Sequence, residues 1–178
     1  MFQGIIVAGF GGQGIISGGI MLAYAGMIEG KHVTFFPAYG AEMRGGTANC
    51  SVVVSSDPVA SPVVGSPDSL LIMNEPSLAR FEDSLKSGGL MIINTSLVNS
   101  RPNRKDIDTL EIPVSELAEE VGNIKAANMV VLGAYAKKTG AVSIDALKNS
   151  IAKVYLRAND EMVAMNKKAI DKGAAAVS

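Results

Sequence analysis

The sequence predicts an α/β domain of three layers, α/β/α, with a largely parallel or mixed sheet and a helical C-terminal third. Three observations carry this. Short apolar runs that end in glycine or asparagine alternate with helix-length segments as far as Asn94. Residues 47–55 alternate apolar and polar side chains with the period of a strand. Beyond Ile112 only helical spacing remains. Strands alternating with helices imply a sheet with helices packed on its faces.

Residues 2–8 read as a buried strand ended by Gly9, and 14–29 as a helix that is apolar almost all round. Gly18, Gly19 and Gly26 each cost that helix about 1 kcal/mol against alanine, which makes sense only if its backbone approaches the sheet or a partner subunit closely. Residues 32–36 form a second strand, completing a strand–helix–strand unit. In 47–55, Ala48, Cys50, Val52 and Val54 share one face, and Thr47, Asn49, Ser51 and Ser55 share the other with Val53. A strand with so polar a face lies near a sheet edge or lines a wet cleft. Pro58, Pro62 and Pro67 mark 57–68 as an extended connection. Leu70–Met73 and Leu90–Ile93 are strands. Between them lies a helix capped by Asn74, with Leu78, Phe81 and Leu85 as its apolar stripe and Gly88 after its end. Residues 110–112 are a last short strand. Four helices follow: one around Val114–Val121 with Ser115 as cap and Gly122 as stop, then 127–139, then 144–153 capped by Ser143, and finally 155–172 ended by Gly173.

The 178 residues read as one domain, 1–178, long enough to bury a full core without staples. Sixteen Lys and Arg balance seventeen Asp and Glu, with no basic stretch that would mark a nucleic-acid partner. Arg101, Arg104 and Lys105 are interrupted by Pro102 and Asn103 and read as a solvated loop. One cysteine, Cys50, and one histidine, His32, exclude an internal disulfide and fit a reducing cytoplasm. They are too few to hold an iron–sulfur cluster or a structural zinc within the chain, so no metal site is expected. The start lacks the basic region of a signal peptide, and the apolar run 15–28 is too short and too interrupted to span a membrane.

Two glycine-punctuated loops carry the chemistry. Gly9-Phe10-Gly11-Gly12-Gln13-Gly14 follows the first strand and opens the first helix. It fits the pattern that brings backbone N–H groups and a helix N-terminus to a diphosphate. The second strand, however, ends Phe35-Phe36-Pro37-Ala38, without the acid that would hold a dinucleotide ribose. The loop therefore fits tight strand–helix packing, a nucleotide site, or an anion or cofactor edge completed by another chain. Tyr39-Gly40-Ala41-Glu42-Met43-Arg44-Gly45-Gly46 follows the second strand. The Arg44 guanidinium suits carboxylate or phosphate, and Gly45 and Gly46 let N–H groups approach an anion. Arg44 could equally pair with Glu42 in a rigid turn. No residue is placed as a catalytic acid, base or nucleophile. Cys50 reads as a buried small hydrophobe, His32 as an edge residue, and Asn74 and Asn94 as caps near the same sheet edge. Met21, Met27, Met162 and Met165 read as core or interface filler.

The second loop, continued by Ala48-Asn49-Cys50-Ser51-Val52, resembles the gamma subunit of 2-oxoacid:ferredoxin (acceptor) oxidoreductases. So do Gly9–Gly14, Pro67-Asp68, Phe81 with Gly88-Gly89, Asn94-Thr95-Ser96, and Asn128-Met129 before Gly133-Ala134. The resemblance covers roughly residues 2–140 and is closest to 2-oxoglutarate or branched-chain 2-oxoacid enzymes. It implies a subunit of a thiamine diphosphate-dependent enzyme that converts a 2-oxoacid and coenzyme A to acyl-CoA and CO2 and reduces ferredoxin. It implies that thiamine diphosphate, magnesium and iron–sulfur clusters sit in alpha, beta or delta partner subunits, with none held by this chain alone. It places Gly11, Gly12, Gln13, Gly14, Tyr39, Glu42, Arg44, Gly45 and Gly46 at the coenzyme A and active-site cleft or its interfaces. Such a chain is expected to be inactive alone and able to form a homodimer through surface meant for partners. The rival readings are a stand-alone nucleotide-binding module and a homodimeric scaffold.

Overall fold

A computed structural model of the chain describes residues 1–39 and 46–177, with Tyr39 described by its backbone only. Six strands form one sheet: β1 (Phe2–Phe10), β2 (His32–Tyr39), β3 (Thr47–Ser55), β4 (Ser69–Ile72), β5 (Leu90–Asn94) and β6 (Asp108–Ile112). Their order across the sheet is β2-β3-β1-β4-β5-β6. The pairings β1–β4, β4–β5 and β5–β6 are parallel, whereas β3 is antiparallel to both β1 and β2. The sheet is therefore mixed. β3 lies one strand from the edge, where its polar face is tolerated. β1 and β2 run in the same direction, so both glycine loops leave the same edge of the sheet.

Helices α1 (Ile15–Ile28), α3 (Val114–Val121), α4 (Ala127–Thr139), α5 (Ile144–Val154) and α6 (Asp160–Ala175) build the larger core on one face, against Ile5, Val7, Cys50, Val52, Leu71 and Ile92. On the other face a short helix, α2 (Glu75–Phe81), and the 3-10 turn Glu82–Ser84 cover Ile6, Ala8, Leu70, Ile72, Met91 and Ile93. The three layers are thus unequal. Asn74 caps α2, its Oδ1 accepting the Ser77 N–H at 3.0 Å. Ser143 caps α5 in the same way through Ala146. No helix among the described residues is long and apolar enough to cross a membrane.

The glycines of α1 mark its approach to the sheet and to α4. A Cβ on Gly19 would sit 2.9 Å from Phe35 Cε2 and closer still to Cys50 Sγ, and one on Gly26 would sit 2.6 Å from Val33 Cγ1. The sheet, not a partner, is what those two glycines approach. Ser115 is not the cap of α3. Pro113 holds that position, and the Ser115 hydroxyl is buried and accepts from Asn94 Nδ2 at 3.0 Å. Gly173 does not end the last helix. It lies inside α6, where α6 crosses α4 so tightly that a Cβ on Gly173 would meet the Val130 carbonyl group and one on Gly133 the Ile170 carbonyl group. The Arg101–Lys105 segment is the expected solvated loop, with Arg101, Asn103 and Lys105 exposed, and it is pinned at Asn103 and Arg104. The Glu82 carboxylate accepts the Asn103 and Arg104 N–H groups, and the Arg104 guanidinium donates to the Glu82 and Leu85 carbonyls and pairs with Asp106.

Two outcomes follow from this packing. Gly133→Ala forces the two helix backbones apart, an overpacking cost of about 3 kcal/mol. Thermal unfolding should fall by about 5–10 °C, and a wild-type Tm would contradict the crossing. At the far end of α1, burial works against the Glu29 carboxylate, but hydrogen bonds from Lys31 and Ser143 and the Lys31 charge outweigh it and hold its pKa below the ordinary value. A lowered carboxylate pKa adds stability above the unfolded-state value and loses it as pH falls through the folded-state value. Urea titrations should therefore show Glu29→Gln less stable than the parent at neutral pH, with the gap closing in acid.

Candidate functional site

The C-terminal edge of the parallel strands brings together the first glycine loop, Gly46 of the second, Asn74 and Asn94. β1 leaves the sheet into Gly9–Gly14, and two interactions fix that loop. Gln13 Oε1 accepts the Phe10 N–H at 2.6 Å, while Gln13 Nε2 donates to the Met73 carbonyl at 3.3 Å. One side-chain amide thus ties the end of β1 to the end of β4. Glycine is required at two points here: Gly12 and Gly14 have φ of +94° and +72°, a region that side chains disfavour.

Gly14 delivers the chain into α1 with no side-chain cap and no acidic residue in the first turn. Among the described residues no side chain caps the first-turn N–H groups of α1, which lie at the positive end of the helix dipole. Asn128, in the first turn of α4, packs directly on Gly14. Its Nδ2 donates to the Gly14 carbonyl at 3.2 Å and to Ser17 Oγ at 3.3 Å. Its buried Oδ1 has no partner among the described residues. The N-termini of α1 and α4 thereby meet at one place.

The two loops are joined. The Gly11 N–H donates to the Gly46 carbonyl at 3.0 Å, and Gly46 is buried. Of the second loop, Glu42, Arg44 and Gly45 lie outside the described residues, as does the Tyr39 side chain; the backbone of Tyr39 closes β2. Asn94 is fully engaged, holding Ser115 and the Ser96 N–H. Asn74 caps α2 with its oxygen, but its buried Nδ2 has no partner among the described residues. Sequence reasoning missed Arg80 on α2, whose guanidinium reaches Thr47 Oγ1 at 3.4 Å and lies 5.2 Å over the Phe81 ring. It also gave Asn128 no role. Only long-range packing brings either of them to this edge. The arrangement offers N–H donors, amides and an arginine, a set suited to an anionic ligand.

Cys50 takes no part. It is fully buried against α1, and burial pushes its thiol up to about 12, so it is no nucleophile at neutral pH. Among the described residues no three His, Cys, Asp or Glu side chains cluster as a metal site would need.

The family model described as pyruvate ferredoxin/flavodoxin oxidoreductase matches residues 4–176. The ketoisovalerate oxidoreductase subunit VorA of Methanothermobacter marburgensis is 42% identical over 127 residues, which are 71% of this chain and 26% of that one. The chain therefore spans about a quarter of that relative's length. The 2-oxoglutarate synthase subunit KorC of the same organism is 37% identical over 162 residues, 85% of this chain and 87% of that one. The solved 2-oxoglutarate:ferredoxin oxidoreductase of Magnetococcus marinus, with 2-oxoglutarate, coenzyme A and succinyl-CoA bound, superposes with a TM-score of 0.89 at 29% identity. That match covers 98% of this chain and 31% of the other.

The Gln13 clamp makes a local test. Gln13→Ala removes both bonds and should cost about 1–2 kcal/mol. Hydrogen exchange at the Phe10 and Gly11 amides should accelerate while the α4–α6 amides stay slow. Unchanged exchange at Phe10 would show that the loop holds its shape without the side chain.

Proposed function

Because this chain belongs to the pyruvate ferredoxin/flavodoxin oxidoreductase family as a gamma-type subunit, we propose that it forms one wall of the coenzyme A and active-site cleft of a 2-oxoacid:ferredoxin oxidoreductase. The observation that carries this reading is the Gly11–Gly46 hydrogen bond, which joins the two loops into one rim at the sheet edge. In the assembled enzyme, the rim Gly11, Gly12, Gln13, Gly14, Tyr39, Glu42, Arg44, Gly45 and Gly46 faces the cleft or a subunit interface. Arg44 meets an anionic group of coenzyme A or of a partner chain, and Glu42 orients it.

The donors around the rim fit such a ligand: uncapped N–H groups of α1, the Asn74 amide and the Arg80 guanidinium all favour negative charge. Thiamine diphosphate, bound with magnesium by partner alpha and beta subunits, would supply the decarboxylation chemistry. Iron–sulfur clusters in partner chains would carry electrons to ferredoxin. This chain contributes shape and charge, is inactive alone, and works in the cytoplasm. The relatives named for ketoisovalerate and 2-oxoglutarate favour a branched-chain 2-oxoacid or 2-oxoglutarate as substrate.

Arg44→Ala tests the proposal in the reconstituted complex. Assembly should persist while the KM for coenzyme A rises about tenfold, the worth of one charge-assisted contact. Unchanged assembly together with unchanged coenzyme A dependence would sink both roles given to Arg44.

A further inference from the structure

Among the described residues the sheet is covered unequally. α2 packs on β1 and β4, while α1 covers β2 and β3 from the opposite side. On the α2 side, the register sets Phe36, Ser51 and Ile6 in one row and Ala38, Asn49 and Ala8 in the next, with Thr47 opposite Phe10. Phe36 is 47% exposed and Phe10 38%, and Ala38, Thr47 and Ser51 are half-buried, whereas Asn49 and Val53 of the same face are buried and the Arg80 guanidinium reaches Thr47. β2 is the outermost strand. Edge strands are ordinarily guarded by charge, by proline or by a covering segment. Among the described residues β2 offers Pro37 as such a guard, and no Asp, Glu, Lys or Arg occurs in β1, β2 or β3.

Exposed aromatic rings without charge are the composition of the buried centre of an interface, not of a solvated face. The occupant follows from the relatives. In the Methanothermobacter VorA and Magnetococcus chains, the matching unit is 26% and 31% of a longer polypeptide. There, the same domain is covalently continuous with further protein.

We propose that the α2-side face of β2 and β3, centred on Phe36, Ser51 and Phe10, is the seat of the partner subunit equivalent to the remainder of those longer chains. This rests on the subunit reading above. The partner meets it with an uncharged surface, apolar toward Phe36 and Phe10 and hydrogen-bonding toward Ser51. Phe10 belongs to the first loop and Thr47 follows the second, so this face is continuous with the rim. A subunit seated there closes the cleft from the β2 side.

Hydroxyl-radical footprinting decides it, comparing the free chain with the complex purified through a tag on this chain. The partner is identified by mass spectrometry as homologous to the remainder of the longer relatives. Oxidation of Phe36 and Phe10 should fall several-fold in the complex, while the exposed Leu156 and Met162 on the helical side stay unchanged. In parallel, Ser51→Arg should abolish co-purification while keeping the parent's circular dichroism and Tm, and Leu156→Arg should assemble normally. If the complex forms but Phe36 and Phe10 oxidise as in the free chain, the face is wrong and the subunit reading stands. If no such partner co-purifies, both fall. If the free chain already protects Phe36 in a dimer that dilution releases, and the partner leaves that protection untouched, the occupant is a second copy and the proposal is overturned.

Discussion

The close seating of α1 on the sheet is the constraint on which the other features depend. Gly19 lies against Cys50 and Phe35, Gly26 against Val33, and Gly18 faces Leu132 of α4. A helix free of bulk on those positions approaches both layers, and its N-terminus then lands beside Asn128 of α4. Three consequences follow. The Gly9–Gly14 loop has little room and turns through glycine conformations. The Cys50 thiol is sealed beneath α1 and chemically silent. The first-turn N–H groups of α1 point out of the sheet edge without a side chain to cap them. The glycines cost helix propensity, and apolar burial against β2 and β3 offsets that cost.

With the larger core on the α1 side, the domain is lopsided. That side holds α3–α6 as well, including the glycine-lined crossing of α4 and α6, and its strands are apolar on the facing positions. The opposite side has one short helix, held down by the Asn74 cap and by two glutamates. Glu75 and Glu82 accept backbone N–H groups from the 99–104 connection, so α2 and that connection brace each other. This bracing covers β1, β4 and β5 and reaches β3 through Arg80 at Thr47, while Phe36 of β2 stays exposed. Val64, from the connection 57–68, reaches only as far as Gly4 at the opposite end of β1, a Cβ there lying 3.1 Å from its Cγ1.

Much of this was legible in the sequence because it is local. Period-two alternation located β3, its facing residues and its place near an edge. Short apolar runs found each strand, and Asn74 and Ser143 announced their helices by ordinary capping chemistry. The misreadings share one cause. A glycine after an apolar stripe signals a helix end, but Gly173 serves a helix crossing whose other half, Gly133, is forty residues earlier. A serine before an apolar stripe signals a cap, but Ser115 answers to Asn94 across the fold. Arg104 lies in the solvated loop the sequence predicts, but its pinning was not legible because the carbonyls and carboxylate that hold it belong to the segment after α2. Asn128 and Arg80 look unremarkable in sequence and matter only through where α4 and α2 end. Local chemistry was readable, and partners separated by twenty residues or more were not.

The two glycine loops began as separate motifs, one resembling a nucleotide cradle and the other an arginine-bearing turn. The hydrogen bond from Gly11 to Gly46 makes them one rim, because neither loop can move at that point without the other. The missing ribose acid then stops being a defect. On the readings proposed above, a rim of N–H donors, amides and Arg80 beside the strand pair that carries Phe36 is half of a site. Its donors favour negative charge, and the polypeptide seated on the β2–β3 face supplies the other half. β1 adjoins both, carrying the first loop at its end and pairing with β3 along its length. On those two readings, a shift of β1 relative to β3 reaches ligand and partner together.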